Sequence, residues 1–366
     1  MSNATLLQAA IAAHRFGLGE PALQPLAGDP QGWLLAQIGP ADAARGTGLL
    51  STREGLALIA AEREKRQQAR NPPPGMTAEQ LLAGHYREAT IADARSHLAS
   101  AALATRPFAE RLQLFWANHF TVSLLKGSAR GLVGAFERDA IRPHIAGSFA
   151  ALLTASTTHP AMLRYLDNAQ SAGPNSQVVA REKRRAGRAD ETPRVTGINE
   201  NLAREVLELH TLGAASGRGA GVDGRGYTQA DVTAFAGVLS GWRVGQNDLD
   251  AALPFDPNWH EPGPKTVLGK RYAEGPDALR EVLHDLAAHP ATARFVSTKL
   301  ARHFVADEPP AALVERLAQT WLRAGGDLAS VYRELVRSPE AWAPQQAKLK
   351  RPEEFVISTV RVLGIN

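Results

Sequence analysis

Residues 108–120 read FAERLQLFWANHF, a stretch with apolar side chains at three- and four-residue intervals. This spacing predicts an α-helix with one apolar face, because successive residues of a helix are turned by about 100°. That face holds Phe108, Leu112, Phe115, Trp116 and Phe120. His119 falls within the same face, so its imidazole is predicted to be buried in the core.

The same period continues to residue 125 and returns in residues 81–103, 132–145, 201–212, 278–286 and 311–322. Each of these stretches is predicted to be a helix. Alternating patterns typical of strands are scarce, and only residues 265–272, KTVLGKRY, are predicted to form a short strand. The predicted fold class is therefore all-α: a large multi-helix globular domain with long loops and little or no β structure.

Length and composition limit the class of protein. Residues 1–366 are predicted to form a single domain, built as one helical core or as two closely packed helical lobes. The 41 Lys and Arg residues barely exceed the 37 Asp and Glu residues, so the charge balance does not favour nucleic-acid binding. Because the chain has no cysteine, disulfides, thiolate metal sites and a cysteine nucleophile are excluded, and any metal would need His, Asp or Glu ligands.

The N-terminal residues lack a basic region and a long apolar run, so they do not have the pattern of a signal peptide. Nor does the chain hold the run of about 18 apolar residues that a membrane helix needs. We therefore expect a cytoplasmic protein without a membrane span. A periplasmic or exported protein is the alternative if the sequence is that of a mature chain.

Three stretches are predicted to be loops. Residues 169–193 contain Gly-Pro-Asn-Ser and then the basic run REKRR at 181–185, which predicts a long, mobile, charged loop. Its arginines lack interleaved aromatic residues, so a solvated loop is favoured over a nucleic-acid site. Residues 213–226 form a Gly-rich loop, and the turn-rich residues 253–269 form a third loop of the length that is often functional.

The densest polar cluster lies in the predicted helix 201–212. Asn201, Glu205 and Glu208 share one stripe of this helix, with Arg204 at its border. Two carboxylates on one face could hold a divalent metal or form an acid/base pair whose pKa values are pushed apart. The alternative is a solvated polar face with an Arg204–Glu208 ion pair at i,i+4 spacing.

His210 falls in the apolar stripe of the same helix, beside Leu202 and Leu209, and is predicted to be buried. A buried imidazole needs a partner, which could be a backbone carbonyl, a carboxylate or a metal. Together with His119 it gives two helices that each bury one histidine. Satisfied core histidines are the more frequent outcome of this pattern.

The proline-rich loop of residues 255–265 carries His260 and Lys265 next to two carboxylates. Proline lowers the entropic cost of holding such groups, so the loop is either a site or a structural turn. Thr228 and Asp231 predict a capping box at the start of a helix. GAGVDG at residues 219–224 matches a dinucleotide-binding string, but no strand precedes it, so such a site is not expected.

Several motifs in a fixed order resemble the bacterial family catalogued as domain of unknown function 1800. They are HRFGLG at 14–19, FWANHF at 115–120, LDN at 166–168, residues 199–213, YTQADV at 227–232, SGW at 240–242, residues 256–269 and KLARHF at 299–304. The resemblance implies a mostly helical bacterial protein. It also implies a partner, since genes of the family often lie beside a gene for a phosphatase/sulfatase-like protein. The resemblance implies no catalytic residues, because those of the family are not established.

The leading hypothesis is a hydrolase or transferase acting on an anionic or sugar-like substrate by metal-assisted or acid/base chemistry. Its predicted site packs helix 201–212 against helix 108–120 under the loop 253–265. The catalytic candidates are Glu205, Glu208, His210 and His119, and the substrate-binding candidates are Arg204, Asn201, Lys265 and His260. A divalent metal held by His and Glu is the cofactor considered. The alternative is a non-catalytic accessory or assembly protein for the phosphatase/sulfatase-like partner.

Overall fold

The computed structural model describes residues 2–189, 195, 197–218, 226–244 and 255–365. These residues confirm the mainly helical prediction. The α-helices are α1 (Asn3–Ile11), α2 (Pro30–Leu35), α3 (Thr52–Gln68), α4 (Ala78–Leu82), α5 (Arg87–Ala102), α6 (Pro107–His119), α7 (Val133–Phe136), α8 (Phe149–Thr158), α9 (Pro160–Tyr165), α10 (Gln177–Ala189), α11 (Asn201–Glu205), α12 (Gln229–Leu239), α13 (Asp277–Ala288), α14 (Pro290–Phe304), α15 (Ala311–Arg323), α16 (Leu328–Arg337) and α17 (Pro352–Val362). Of the helices in this part of the chain, none combines the length and the apolar character needed to cross a bilayer.

Three helices run directly into a wider π-helical turn. Ala12–Phe16 follows α1, Glu137–Ile141 follows α7, and Val206–Thr211 follows α11. A π turn holds more residues than an α turn, so each of these segments shifts the face on which the following side chains lie.

The predicted strand is a hairpin. β1 (Lys265–Val267) pairs antiparallel with β2 (Lys270–Tyr272), so that Lys265 lies opposite Tyr272. Both turn residues have positive φ, +50° at Leu268 and +77° at Gly269, as a two-residue hairpin turn of the right twist requires. The predicted capping box is also confirmed, because the Thr228 side chain accepts from the Asp231 amide and the Asp231 carboxylate accepts from the Thr228 amide.

Helix α6 lies in the middle of the core. The side chains of Phe108, Leu112, Trp116 and Phe120 are fully buried. Trp116 donates its indole N–H to the hydroxyl of Tyr332 over 2.6 Å, and that hydroxyl donates to the Ile145 carbonyl over 2.6 Å. This chain of bonds ties α6 to α16 across the core.

The two ends of the chain are joined by arginine side chains. Arg361 in α17 donates from Nε to the Gly19 carbonyl over 2.9 Å and from Nη1 to the Ala102 carbonyl over 2.9 Å. Arg15 donates to the Ala341 and Ala343 carbonyls over 2.7 and 2.8 Å. These contacts bring the segment 12–19 against the segment 341–362.

Several predicted boundaries are wrong. The charged loop 169–193 contains helix α10, because residues 177–189 are rich in Ala, Arg, Lys and Glu, which favour helix as well as solvent. Residues 190–193 lie outside the described part of the chain, as do residues 219–225 of the Gly-rich loop, whose residues Ala214–Arg218 form a 3₁₀ turn.

Three predicted helices also have other bounds in the structure than the sequence predicts. The stretch 81–103 is interrupted at Gly84, which has φ +71°, and α5 begins after it. The stretch 132–145 passes from α7 through a π turn to the 3₁₀ turn Arg142–His144, where Pro143 stops the α-helical hydrogen bonds. Helix α6 ends at His119 and does not continue to residue 125.

Candidate functional site

The two predicted core histidines meet. His119 is the last residue of α6, and its Nε2 donates to the backbone carbonyl of His210 in the π turn over 3.0 Å. Their ring centroids are 6.1 Å apart, and both residues are only 4% exposed. The Nδ1 atom of each ring has no hydrogen-bond partner among the described residues.

Both imidazoles are neutral at neutral pH. Burial lowers the pKa of His119 well below its usual value, with the charge of Lys299 acting in the same direction. Burial and Lys299 also lower the pKa of His210 to about 3. The predicted burial of both histidines is confirmed, and His119 finds a backbone carbonyl as its partner.

The π turn changes the face predicted for residues 206–211. Leu209, predicted to share the buried stripe with His210, is 46% exposed. That prediction is wrong because it assumed 100° per residue, whereas the chain turns by less per residue from Val206 onward.

The polar stripe of α11 forms a surface network. Arg204 lies 3.5 Å from Glu208 and 3.4 Å from Glu200, and it donates to Gln229 over 2.9 Å. Asn201 is exposed. The structure therefore contains the i,i+4 ion pair considered as the alternative to a site.

Glu205 has no hydrogen bond or ion pair with the described residues. Burial raises the pKa of its carboxyl group, and the charge of Glu208 adds to the shift. The charge of Glu208 thus acts on Glu205, as the acid/base hypothesis supposes. Both side chains are only partly buried.

His260 and Lys265 form a buried pair. His260 donates from Nδ1 to the Ser240 carbonyl over 2.7 Å, which leaves Nε2 as an acceptor for Lys265 Nζ at 2.9 Å. Lys265 also donates to the Glu261 carbonyl. The two residues are 4% and 7% exposed. This network fastens the proline-rich loop to the end of α12.

Gly241 allows the proline-rich loop to approach the end of α12 closely. Gly241 has φ +89°, and a Cβ there would lie 2.9 Å from the Asp256 carbonyl oxygen and 3.1 Å from the His260 Cβ. Glycine adopts this positive φ readily and has no Cβ that would contact these atoms.

The eight predicted site residues thus fall into three separate groups. No hydrogen bond, ion pair or ring contact among the described residues joins the α11 surface, the His119–His210 pair and the His260–Lys265 pair. In the same part of the chain, no group of three or more His, Asp or Glu side chains is placed to hold a metal ion.

Sequence reasoning missed a cavity between the two ends of the chain. This basic cavity has a volume of about 440 Å³. It is lined by Leu7, Ala10, Ile11, His14, Arg15, Arg111, Pro344, Gln346, Lys348, Lys350 and Phe355. The lining combines apolar side chains, Leu7, Ala10, Ile11 and Phe355, with cationic ones, Arg15, Lys348 and Lys350, which are referred to below as the apolar and the cationic wall.

The cationic wall has no carboxylate in its lining. Lys348 pairs with Asp307 outside the cavity. Arg15 donates only to backbone carbonyls, and Lys350 donates to the Ser358 hydroxyl over 2.7 Å. Arg15 and Lys350 therefore form no ion pair with a carboxylate of the lining, and Glu354, outside the lining, acts on Lys350 only through its charge.

Arg111 forms the floor of the basic cavity. Its guanidinium is 2% exposed and donates to the carbonyls of His14, Arg15 and Gly17, so it fixes the π turn that carries His14 and Arg15. Glu354 lies 3.5 Å from Arg111 and 3.5 Å from His303. These separations exceed a good hydrogen bond, and Arg111 Nε, His303 Nε2 and Glu354 Oε1 have no hydrogen-bond partner among the described residues.

Several titratable groups in and beside the basic cavity have perturbed pKa values. Burial lowers the pKa of His14, and Lys350 adds to the shift. Burial and Arg111 lower the pKa of Lys350. Burial lowers the pKa of His303 well below its usual value. Perturbed groups gathered at one cavity are typical of functional sites.

The sequence held only a faint signal for this cavity. His14 and Arg15 belong to the HRFGLG motif, and Lys348 and Lys350 to the basic run KLKR at 348–351. The two runs are more than 300 residues apart in the sequence, so no local pattern could bring them together.

One comparison with known proteins gives a match. A family model described as "Protein of unknown function (DUF1800)" matches residues 11–366. No curated protein and no solved structure is significantly similar to the chain.

Proposed function

The chain belongs to the DUF1800 family of proteins of unknown function, and we propose that it binds an anionic substrate with an apolar group in the basic cavity, where His14 acts as the acid/base group of a hydrolysis or group transfer. The observation that carries the proposal is the lining of this cavity, which combines Arg15 and Lys350, two cations without an ion pair, with apolar side chains and the His14 imidazole.

The cations favour an anionic head group. Arg15 and Lys350 face the cavity without a described carboxylate partner. An Arg or Lys N–H that donates to a phosphate or carboxylate forms a charge-assisted hydrogen bond, about twice as strong as a neutral one. Bringing an anion into this cavity also relieves the repulsion between the cations.

The apolar wall favours an apolar body. Leu7, Ala10, Ile11 and Phe355 line it, and Leu7 and Phe355 are 45% and 63% exposed. Covering such side chains stabilises a complex by roughly 25 cal/mol for each Å² of apolar surface removed from water. A volume of about 440 Å³ is that of a small-molecule site. An alkyl or aryl group fits this wall better than a sugar does.

His14 supplies a proton acceptor. Its lowered pKa keeps the imidazole neutral at neutral pH, which is the form that a general base needs. The nearby Lys350 then stabilises negative charge that develops on the substrate.

The predicted pair His119 and His210 lies outside the lining of this cavity, and His119 is connected to it through Phe115 and His303. The ring of Phe115 lies 5.3 Å from that of His303 and 6.1 Å from that of His119. His303 in turn lies beside Arg111, whose Nη2 donates to its carbonyl. A divalent metal held by His and Glu stays a prediction, and elemental analysis of the purified protein tests it.

The proposal is tested by calorimetric titration with decyl phosphate, inorganic phosphate and decanol as probes, followed by turnover assays on aryl phosphates and acyl esters. We expect decyl phosphate to bind more tightly than either probe that carries only one of its two parts. We expect His14→Gln to abolish turnover while decyl phosphate still binds. If decanol binds as well as decyl phosphate, or if His14→Gln retains full turnover, the proposal is wrong.

A second candidate function is the accessory role for the phosphatase/sulfatase-like partner. The observation that favours it is exposed apolar surface near the end of the chain, where Leu349, Val356, Leu363 and Ile365 are 79%, 54%, 66% and 54% exposed. Patches of this kind mark interaction surfaces. Leu363→Glu should disrupt association with the partner and leave decyl phosphate binding unchanged, whereas Lys350→Gln should do the reverse.

A further inference from the structure

A second cavity, of about 290 Å³, lies where α3, α9 and the proline-rich loop approach one another. Its lining includes Arg63, Arg164 and Arg243, together with Ser128, Asp167 and Trp259. We infer that this arginine cavity binds the phosphate group of a small phosphorylated molecule, independently of the basic cavity.

Arg243 is held in a fixed plane. Its guanidinium carbon lies 3.3 Å from the centre of the Trp259 ring. Nη1 lies 3.6 Å from Asp256, and Nε donates to the Ala169 carbonyl over 3.4 Å. A guanidinium held in this way is rigid, so Arg243 gives the arginine cavity a fixed positive charge.

The segments that carry these groups are fastened to each other. Asn168 is buried, and its Nδ2 donates to the carbonyls of Leu239 and Trp242 over 3.1 and 3.0 Å. These bonds fix the residues before Arg243 against the end of α9. Asp167 has φ +60°, a conformation that is uncommon for a residue other than glycine. The cavity is therefore preorganised by the backbone around it.

Arg164 and Arg63 bring like charges together. Arg164 donates from Nε to the Ser128 carbonyl over 2.6 Å, which fixes the direction of its guanidinium. Burial lowers the pKa of Arg164, and the charge of Arg63 adds to that shift. Arg63 makes no hydrogen bond and no ion pair with the described residues. Two adjacent cations cost free energy that a bound anion would recover.

The carboxylate in the lining does not neutralise them. Asp167 is paired with Lys126 over 2.6 Å. Asp256, outside the lining, lies beside Arg243. Glu62, outside the lining, acts on Arg164 through its charge, and it is already paired with Arg66. Arg63 and Arg164 therefore have no unpaired carboxylate in the lining. A dianionic phosphate ester balances two such charges, whereas a monocarboxylate balances one.

The lining also separates this cavity from the basic one. Here the guanidinium, hydroxyl, carboxylate and amide groups dominate, and the aromatic face of Trp259 is covered by Arg243. An apolar ligand body gains little from such walls. The arginine cavity therefore suits a polar phosphate ester, such as a sugar phosphate, rather than an amphiphile.

The test is isothermal titration calorimetry with inorganic phosphate and with glucose 6-phosphate as probes, at constant ionic strength. Arg63→Gln removes a charge that makes no bond within the described protein, so the variant should fold. We expect it to weaken the binding of both probes at least about tenfold, as the loss of one charge-assisted hydrogen bond does. Arg63→Lys keeps the charge and should lose less.

Two matched variants make the result specific. Arg70→Gln removes the same charge from an exposed position just beyond the end of α3 and should leave both affinities unchanged. Lys350→Gln removes a charge from the basic cavity and therefore identifies phosphate that binds there instead of in the arginine cavity. The inference is overturned if neither probe binds, if Arg63→Gln binds like the wild type, if Arg70→Gln loses as much as Arg63→Gln, or if only Lys350→Gln loses affinity.

Discussion

The buried guanidinium of Arg111 donates a hydrogen bond to the backbone carbonyl of Arg15. Arg111 comes from the central helix α6 and Arg15 from the π turn after α1, so this bond fixes the cationic wall of the basic cavity to the core. A π turn leaves carbonyls that an α-helix would use internally, and Arg111 takes several of them. The position of His14 and Arg15 thus depends on a residue about a hundred positions away.

Lys350 should contribute directly to anion binding. We expect Lys350→Gln to weaken decyl phosphate binding about tenfold, because one charge-assisted hydrogen bond and one compensating charge are lost. Isothermal titration calorimetry measures the effect. Ser358→Ala is the matched control, since it removes the hydroxyl that Lys350 contacts but keeps the ammonium. Equal losses in both variants would mean that the side chain acts only through packing.

The pKa of His14 should rise when Lys350 loses its charge. In the wild type, burial and then Lys350 lower this pKa, so His14 is neutral above its lowered pKa and protonated below it. If His14 is the general base, activity falls as pH drops through that pKa. Lys350→Gln should move this acid limb to higher pH. A pH–rate profile checks the shift, and an acid limb that does not move would show that His14 is not the titrating group.

The Tyr332 hydroxyl should be important for stability. Tyr332→Phe leaves the buried Trp116 indole N–H and the Ile145 carbonyl without partners. Each orphaned group costs about 1–3 kcal/mol, so we expect the free energy of unfolding, measured by urea denaturation, to fall by about 2–6 kcal/mol. Tyr272→Phe provides the comparison, because the partly exposed Asp285 that accepts from that hydroxyl can turn to water. Similar losses in the two variants would contradict the importance assigned to the core bond.

Burial of His119 should make the protein less stable in acid. Its pKa is lowered in the folded state, so the unfolded chain takes up the proton first as pH falls below about 6.5. The stabilisation is therefore complete above pH 6.5 and is lost on the acid side, at up to about 1.4 kcal/mol for each pH unit. His119→Gln keeps an N–H for the His210 carbonyl but cannot titrate.

Urea denaturation at several pH values tests this expectation. The dependence of the unfolding free energy on pH below 6.5 should be shallower in His119→Gln than in the wild type. His284→Gln, a change at an exposed position, is the control. An unchanged slope in His119→Gln would show that His119 is not buried as a neutral ring.

Local patterns predicted much of the fold. The three- and four-residue spacing in residues 108–120 located α6 and the burial of His119, while KTVLGKRY and the Thr228–Asp231 pair located the hairpin and the start of α12. In each case the pattern and the structure that it forms lie within a dozen residues. The loop prediction for the charged residues 181–185 is wrong, because charged side chains favour a solvated helix as well as a loop.

The candidate site could not be predicted in the same way. A helical wheel assumes 100° per residue, so it placed Leu209 in the core, where the π turn does not put it. The basic cavity joins His14, Arg111 and Lys350 from three distant segments, and two of these residues lie outside regular α-helices. Only tertiary packing brings such groups together.

The most direct test of the proposed function is a pH titration of the His14 imidazole, measured by NMR with and without decyl phosphate. Comparison with His14→Gln assigns the His14 signals. A phosphate bound beside Lys350 offsets the charge that helps to lower the pKa of His14. Saturating decyl phosphate should therefore raise this pKa. An unchanged His14 pKa in the presence of bound decyl phosphate would show that the anion binds elsewhere, and the proposed function of the basic cavity would be wrong.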